Sequence, residues 1–390
     1  MSRMRLREII GKPLTGEWGN EDLTGTGVPV LRTTNFTNDG IISFDNVVTR
    51  DISPNRLNDK WLKHGDIIIE KSGGSDRQPV GRVVYYVGEN NAYTFNNFTS
   101  ALRVQDQSHW NPKFVFYALF YNYAIGGTRK YENKTTGLHN LKLNLFVDKF
   151  AINWISVSEQ NRIVAVIDAI THLISIRQRQ AEKLDELVKA RFVDMFWGAY
   201  SEVIAEDVCE KIVDCPHSTP KYNESELKYP AIRTSEIQDG QIEWSSMKYV
   251  GINEYQRRVK RLIPEAGDIV YAREGTYGDC VILPEGYQFC LGQRTMLFRP
   301  NYKLCNSEYL HAVLRSAAVK YQADMSNAGS TVPHVNVSDA KRFHFPLPPL
   351  PLQNAFATFV HEVDCEKERI QRSAALLKTL KRSLMQQYFG

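Results

Sequence analysis

Two segments of this 390-residue chain set a basic side chain beside glycine: Lys71-Ser72-Gly73-Gly74 and Arg273-Glu274-Gly275-Thr276. Glycine lets a backbone approach a phosphate or a groove wall closely, and the adjacent cation supplies charge for such a contact. A sheet-connecting turn with a solvated charge fits the same residues. The loops then diverge, Ser75-Asp76-Arg77-Gln78 against Tyr277-Gly278-Asp279-Cys280. A second pair of segments is rich in hydrogen-bonding side chains, as reading base edges requires. These are Lys130, Asn133, Lys134, Thr135, Thr136, Gly137, His139 and Asn140, against Asn327, Gly329, Ser330, Thr331, His334 and Asn336. Helix-capping loops share that composition. Arg32-Thr33-Thr34 and Arg233-Thr234-Ser235 complete the set, as nucleic-acid contacts or as buried structural pairs. The candidate DNA contacts are thus Arg32, Thr33, Thr34, Lys71, Ser72, Gly73, Gly74, Arg77, Lys130, Lys134, Thr135, Thr136 and His139. In the second half they are Arg233, Thr234, Ser235, Arg273, Gly275, Thr276, Tyr277, Ser330, Thr331, His334 and Asn336.

Covalent chemistry finds less support. Asp66 with Glu70-Lys71 comes nearest to a nuclease site, which needs two carboxylates around a divalent metal and a lysine beside the attacking water. The spacing is off by one, and Ala272 stands where a second copy would need the glutamate; strand and turn is the reading favoured. The chain has no Asn/Asp-Pro-Pro-Tyr/Phe motif for holding a flipped base, no glycine-rich cofactor loop and no Gly-x4-Gly-Lys-Ser/Thr phosphate loop. No catalytic residue and no metal ligand is assigned. Cys209, Cys215 and His217 lack the paired spacing of a zinc site. All six cysteines, Cys209, Cys215, Cys280, Cys290, Cys305 and Cys365, lie in the second half without a Cys-x-x-Cys pair. They read as buried free thiols of a reducing cytoplasm. Residues 1–17 lack the apolar core of a secretory signal, and no stretch approaches the roughly 20 apolar residues of a membrane helix.

The elements that position the candidate segments show up as a repeat. Val28-Pro29-Val30-Leu31-Arg32-Thr33-Thr34 resembles Tyr229-Pro230-Ala231-Ile232-Arg233-Thr234-Ser235, and Asp39-Gly40-Ile41-Ile42-Ser43-Phe44 resembles Asp239-Gly240-Gln241-Ile242-Glu243-Trp244. Gly65-Asp66-Ile67-Ile68 matches Gly267-Asp268-Ile269-Val270. Asn111, Phe114 and Leu119 match Asn306, Tyr309 and Leu314; Gln160-Asn161 matches Gln353-Asn354, and Phe196 matches Phe389. The order is kept throughout while the offset drifts from 201 to 193, as loop insertions and deletions would produce. This is a tandem duplication of a unit of about 195 residues, not a short-period solenoid. With 43% hydrophobic and 24% charged residues the chain is globular. A net charge of +4, most of it from the first half, permits a nucleic-acid partner without arguing for one.

Each copy starts with a mixed domain, residues 1–152 and 201–345, and ends in a long helix, residues 153–200 and 346–390. The mixed parts hold β-rich runs such as Asp66-Ile67-Ile68-Ile69 and Val83-Val84-Tyr85-Tyr86, and one helical stretch each, 112–123 and 307–321. The long helices carry apolar seams at spacings of three and four: Ile163, Ile167, Ile170, Ile174, Ala181, Leu184, Val188 and Met195, then Phe356, Val360, Val363, Ile370, Ala374, Leu377, Leu384 and Tyr388. Ser156 and Glu159 form a capping-box pattern before the first; Pro346, Pro348, Pro349 and Pro351 mark the start of the second. Arg177 and Arg191 fall on the first seam, as registry devices, as contacts to an acidic partner, or snorkelling outward. The expected fold class is therefore α+β. Two similar mixed domains are separated by a long antiparallel two-helix coiled coil with a pseudo-twofold axis. A helix of about 37 residues spans roughly 55 Å, against roughly 34–36 Å per turn of B-DNA. Two heads with different loops would then read two different half-sites of a non-palindromic target.

These residues resemble the specificity subunits of type I restriction–modification systems over essentially the whole chain. The resemblance rests on the duplicated Arg-Thr-Thr and Arg-Thr-Ser segments and the duplicated Gly-Asp-Ile with its glycine loop. It rests also on Phe345-Pro346-Leu347-Pro348-Pro349-Leu350-Pro351-Leu352-Gln353 before a helix ending Gln386-Gln387-Tyr388-Phe389-Gly390. The first copy departs from that proline-rich start, reading Ile152-Asn153-Trp154-Ile155-Ser156-Val157-Ser158-Glu159-Gln160. The resemblance implies two target-recognition domains that bind double-stranded DNA, and helices that dock two modification subunits. Those partners would bind S-adenosylmethionine and methylate adenine, and restriction subunits would add ATP- and Mg-dependent translocation and cleavage. The chain itself would be cytoplasmic, non-catalytic and free of cofactor. The competing readings are a self-contained nuclease or methyltransferase, and a coiled-coil protein-interaction scaffold.

Overall fold

The computed structural model describes residues 3–135, 138–223, 225, 227–275, 277–326 and 334–390, without the side chains of Lys134 and Thr135. Of the candidate contacts, Thr136, Thr276, Ser330 and Thr331 lie outside the described residues, as do Gly137, Asn327 and Gly329. The chain divides into two compact units, Met1–Arg177 with Ser373–Gly390, and Gln178–Arg372. Both are mixed α+β.

In the first unit a four-stranded antiparallel sheet runs in the order Leu14–Thr15, Thr99–Leu102, Ile67–Glu70, Val83–Tyr85. Ile67, Ile68 and Ile69 are wholly buried, as suits a β-branched central strand covered on both faces; each contributes roughly 1.5–3 kcal/mol by burial. In the second unit Cys209–Asp214, Thr295–Pro300, Ile269–Ala272 and Cys280–Ile282 take the same order. A smaller sheet also recurs. The strand before each Arg-Thr segment, Val28–Leu31 or Tyr229–Ile232, pairs antiparallel with Val48–Asp51 or Lys248–Val250, and parallel with Thr94–Phe95 or Cys290–Leu291.

The repeated Gly-Asp-Ile has a structural cause. Gly65 and Gly267 sit at φ +93° and +88°, left-handed values that favour glycine. The aspartate that follows accepts the backbone N–H three residues back, Lys63 or Glu265, at 2.8 Å. Both its oxygens take an arginine, Arg103 just after the neighbouring strand at 2.7 Å or Arg299 within it at 2.8 Å. Asp66 is therefore spent on its arginine, and the nuclease-like pattern is a strand and its turn.

Four helices matter for the site: α1 (Pro112–Ala124), α2 (Val157–Phe196), α3 (Ser307–Leu314) and α4 (Leu350–Phe389). In the first unit the start of α2 runs antiparallel to the end of α4, with Arg162 bonded to Tyr388 and Phe389 against Phe114 of α1 at 5.1 Å. In the second the end of α2 runs antiparallel to the start of α4, with Lys367 on Asp185 at 2.6 Å and Phe196 against Tyr309 of α3 at 5.0 Å. Phe196 and Phe389 recur because each closes the core over a short helix. The paired Gln-Asn recurs because it clamps the long helix to the cap of that short one. Gln160 Oε1 accepts the Asn111 N–H at 2.9 Å, while Gln160 Nε2 donates to the carbonyls of His109 and Ile155. Gln353 does the same for Asn306, Leu304 and Pro348. Asn111 and Asn306 in turn cap α1 and α3 through their side chains.

Several details depart from the sequence reading. Arg191 is exposed, and Phe192 holds its seam position, buried against Tyr309 and Phe356. Glu159 binds Arg162 instead of completing the capping box, although the Ser156 hydroxyl accepts its N–H. Pro351 lies within the first turn of α4, where its missing N–H has no intrahelical acceptor to lose. The second helical stretch breaks after Leu314 and resumes as Ala317–Ser326. Cys365 is exposed; Cys215, Cys280, Cys290 and Cys305 are buried and Cys209 is half-buried, all as free thiols.

His311, half-buried on α3, bonds the Cys280 carbonyl through Nε2 at 2.9 Å. Burial, then the nearby Arg315, pull its pKa down to about 4. The unfolded chain has an ordinary histidine near pH 6.5. As pH falls below that value the unfolded state takes a proton that the folded state refuses, so stability is lost between about pH 6.5 and 4. Unfolding of the second unit in urea should weaken by about 2 kcal/mol from pH 7.5 to 5, and His311→Gln should remove that dependence. An equal dependence in the variant would refute it.

Candidate nucleic-acid interface

The structure brings the two candidate segments of the first unit into one antiparallel sheet. Ser72–Gly74 pairs with Leu138–Leu141, which pairs with Glu132–Thr135. Gly74 faces His139 and Ser72 faces Asn140, with an irregularity between the two, and the Leu141 N–H reaches the Lys71 carbonyl at 2.8 Å. The second unit makes the matching junction: Glu274 bridges His334, and the Val335 N–H donates to the Arg273 carbonyl at 3.0 Å.

The glycines are needed by the protein's own packing. A Cβ on Gly74 would lie 2.6 Å from the Val80 nitrogen, and one on Gly73, at φ +131°, would lie 2.9 Å from Glu70 Oε1. Glu70 is buried, which raises its pKa despite Arg82 beside it. His139 is buried too. Its Nδ1 meets Glu132 Oε2 at 2.8 Å and its Nε2 stands 3.5 Å from Asp76 Oδ1, while Glu132 Oε1 accepts the Val80 N–H. This histidine fastens the hairpin to the 75–80 loop and is not a free base-reading group. Lys134 and Thr135 lie on the hairpin strand.

Cations gather around that sheet. Lys71 is half-buried, which lowers its pKa, and no acidic partner meets it among the described residues. Arg77 is exposed on the loop, and Arg129 donates to the Asp76 and Arg77 carbonyls at 3.2 and 3.4 Å. Lys130 stands 5.2 Å over the Tyr131 ring. Residues 101–150 hold seven lysines and arginines against three acidic residues, so the positive charge of the first half concentrates here. Arg129 escaped the sequence reading; its adjacency to Lys130 was the available signal. Arg32 donates its N–H to Asn35 Oδ1 and one guanidinium nitrogen to the Asn46 carbonyl at 3.3 Å, and its Nε is buried without a partner. Thr33 gives its carbonyl to Arg82, and Thr34 is exposed.

The second unit is arranged differently. Arg233 is held by Glu236, at 3.0 Å through Nε and by a second short bond. Ser235 donates to the same carboxylate, and Thr234 is half-buried. Arg273 pairs with Asp214 and donates Nε to the Val335 carbonyl at 2.8 Å. Gly275 is exposed at φ +71°, and the Tyr277 hydroxyl donates to Asp324. His334 Nε2 lies 3.2 Å from Asn336 Oδ1, and Asn336 donates to Asp339. His217 pairs with Asp214 while Cys209 packs in the core with Cys305, so the zinc set does not assemble.

Two mixed units, each joining a loop after the Gly-Asp-Ile strand to a distant polar segment, invite comparison with known proteins. Residues 201–378 match the family described as Type I restriction modification DNA specificity domain. The second half of the chain is thus similar to the type I specificity subunits. A putative type I restriction enzyme MjaX specificity subunit from Methanocaldococcus jannaschii is 28% identical over 180 residues, 44% of this chain. That match spans 41% of the relative's own length. Two solved structures share the fold over the full length of this chain. One, described as the structural basis of complex assembly and conformational transition of the type I R-M system, has a TM-score of 0.60 at 16% identity, with 97% of it covered. The other, a type I system S subunit from M. genitalium, has a TM-score of 0.56 at 13% identity, with 96% covered. The family resemblance and the α+β class expected from the sequence both hold. No helix among the described residues is long and apolar enough to cross a membrane.

Proposed function

We propose that this chain is the non-catalytic, DNA-reading subunit of a type I restriction–modification system, recognising an asymmetric bipartite duplex site with one half-site per unit. The carrying observation is the convergence in each unit of two segments far apart in sequence, 71–74 with the strands 132–135 and 138–141, and 273–274 with 334–335. Phosphate contacts position a protein on DNA and base contacts specify the site. In the first unit Arg32, Thr34, Lys71, Arg77, Arg129 and Lys130 suit the first task, and the paired strands Glu132–Thr135 and Leu138–Leu141 suit the second. In the second unit the reading surface is formed by Gly275 and Tyr277 with His334 and Asn336. Residues 1–152 and 201–345 serve as target-recognition domains, and residues 153–200 and 346–390 as spacer helices. Two modification subunits would carry S-adenosylmethionine and methylate adenine. Restriction subunits would carry ATP and Mg, and the work would take place in the cytoplasm.

Mapping methylated adenines genome-wide, in cells with and without this gene, tests the reading. A split, non-palindromic motif should be methylated only when the gene is present. A methylation pattern indifferent to the gene would overturn the proposal.

A further inference from the structure

The duplication permits comparison of the two units position by position. Arg32 and Arg233 occupy the same place in the repeat, and so do Lys71 and Arg273. The third residue after each arginine differs. In the second unit it is Glu236, fully buried and bound to the Arg233 guanidinium. In the first it is Asn35, whose oxygen is taken by the Arg32 backbone N–H, leaving the guanidinium a lone carbonyl contact.

The same exchange occurs at the glycine loop. Asp214 neutralises Arg273. Asp214 is opposite Met296 in the sheet, on the strand where Phe298 faces Ile269. In the first unit Leu102 faces Ile67, so the place of Met296 falls to Ser100, whose partner is Thr15. A hydroxyl therefore stands where the second unit has a carboxylate, and Lys71 meets no acid among the described residues.

We infer that the two units meet a polyanion unequally: Arg32 and Lys71 of the first are open to phosphate, whereas Arg233 and Arg273 of the second are already neutralised by Glu236 and Asp214. The inference rests on the DNA reading above and deepens it. Leaving Glu236 to reach a phosphate would strand a buried carboxylate, so Arg233 stays where it is. Counterion release on binding, which sets the salt dependence, is then concentrated in the first unit.

The test uses the full chain, a mixed-sequence DNA duplex and a KCl series read by fluorescence anisotropy, with circular dichroism to confirm folding. Each phosphate contact contributes about 0.9 to the slope of log K against log salt. Arg32→Gln with Lys71→Gln should flatten the slope by about 1.8. Glu236→Gln with Asp214→Asn, which release Arg233 and Arg273, should steepen it by about the same amount. An unchanged slope in either double variant overturns the inference. If the wild-type chain ignores the duplex, the same variants are eluted from heparin with salt. Earlier elution of the first and later elution of the second then upholds the electrostatic inequality and refutes the DNA reading, while unmoved elution refutes both.

Discussion

Gln160→Leu is expected to destabilise the first unit by about 4 kcal/mol, and Gln353→Leu the second by as much. Both glutamines are completely buried. Each fills three hydrogen bonds to backbone, accepting the N–H of the residue that caps a short helix and donating to two carbonyls that no strand or helix satisfies. Leucine keeps much of the volume, so the loss reports chiefly the polar groups left without partners, at roughly 1–3 kcal/mol for each buried group. Asn161→Ala and Asn354→Ala remove only an exposed side-chain bond from the same junctions, and about 1 kcal/mol or less should go. Urea unfolding checks this. Because the two glutamines belong to different compact units, each variant should lower one transition and leave the other. A glutamine variant within about 1 kcal/mol of wild type would mean that water or a rearranged backbone replaces the clamp.

That junction also explains what could be read from the sequence. Matches such as Gln160 with Gln353, Asp66 with Asp268 and Phe196 with Phe389 survive in both copies because each makes the same contact twice. Order and spacing therefore sufficed to find the repeat and the α+β class. The site was less legible because its meaning depends on partners that register, not spacing, selects. Asp214 reaches Arg273 across 59 residues, and nothing in the loop itself distinguishes that arginine from Lys71, which meets no acid among the described residues. His139 has the composition of a base reader, yet the hairpin turns it inward onto Glu132. The 3–4 periodicity tolerates a slip of one residue, which is why it selected Arg191 where Phe192 is buried.

Exchanging residues 71–82 together with 128–142 for their equivalents from another domain of this family is expected to replace one half-site of the methylated motif and leave the other intact. The two segments have to move as a pair. The Leu141 N–H bonds the Lys71 carbonyl, Arg129 bonds the Asp76 and Arg77 carbonyls, Glu132 accepts the Val80 N–H, and His139 lies between Glu132 and Asp76. Exchanging 71–82 alone puts a foreign loop against the native hairpin, where Gly74 leaves no room for a Cβ beside Val80, so loss of methylation is the expected outcome there. With both exchanged, the framework beneath them, Ile67–Glu70 paired with Thr99–Leu102, is untouched. Each mismatched base pair costs about 1–3 kcal/mol, so three altered positions should reduce methylation of the original site by roughly a hundredfold or more. The measurement is the methylated motif of the exchanged chain with its modification partner. A change in the distal half-site would mean that the two units do not read independently. Persistence of the original motif would mean that the reading surface lies elsewhere, with the Arg32–Asn46 face of the same unit the next place to look.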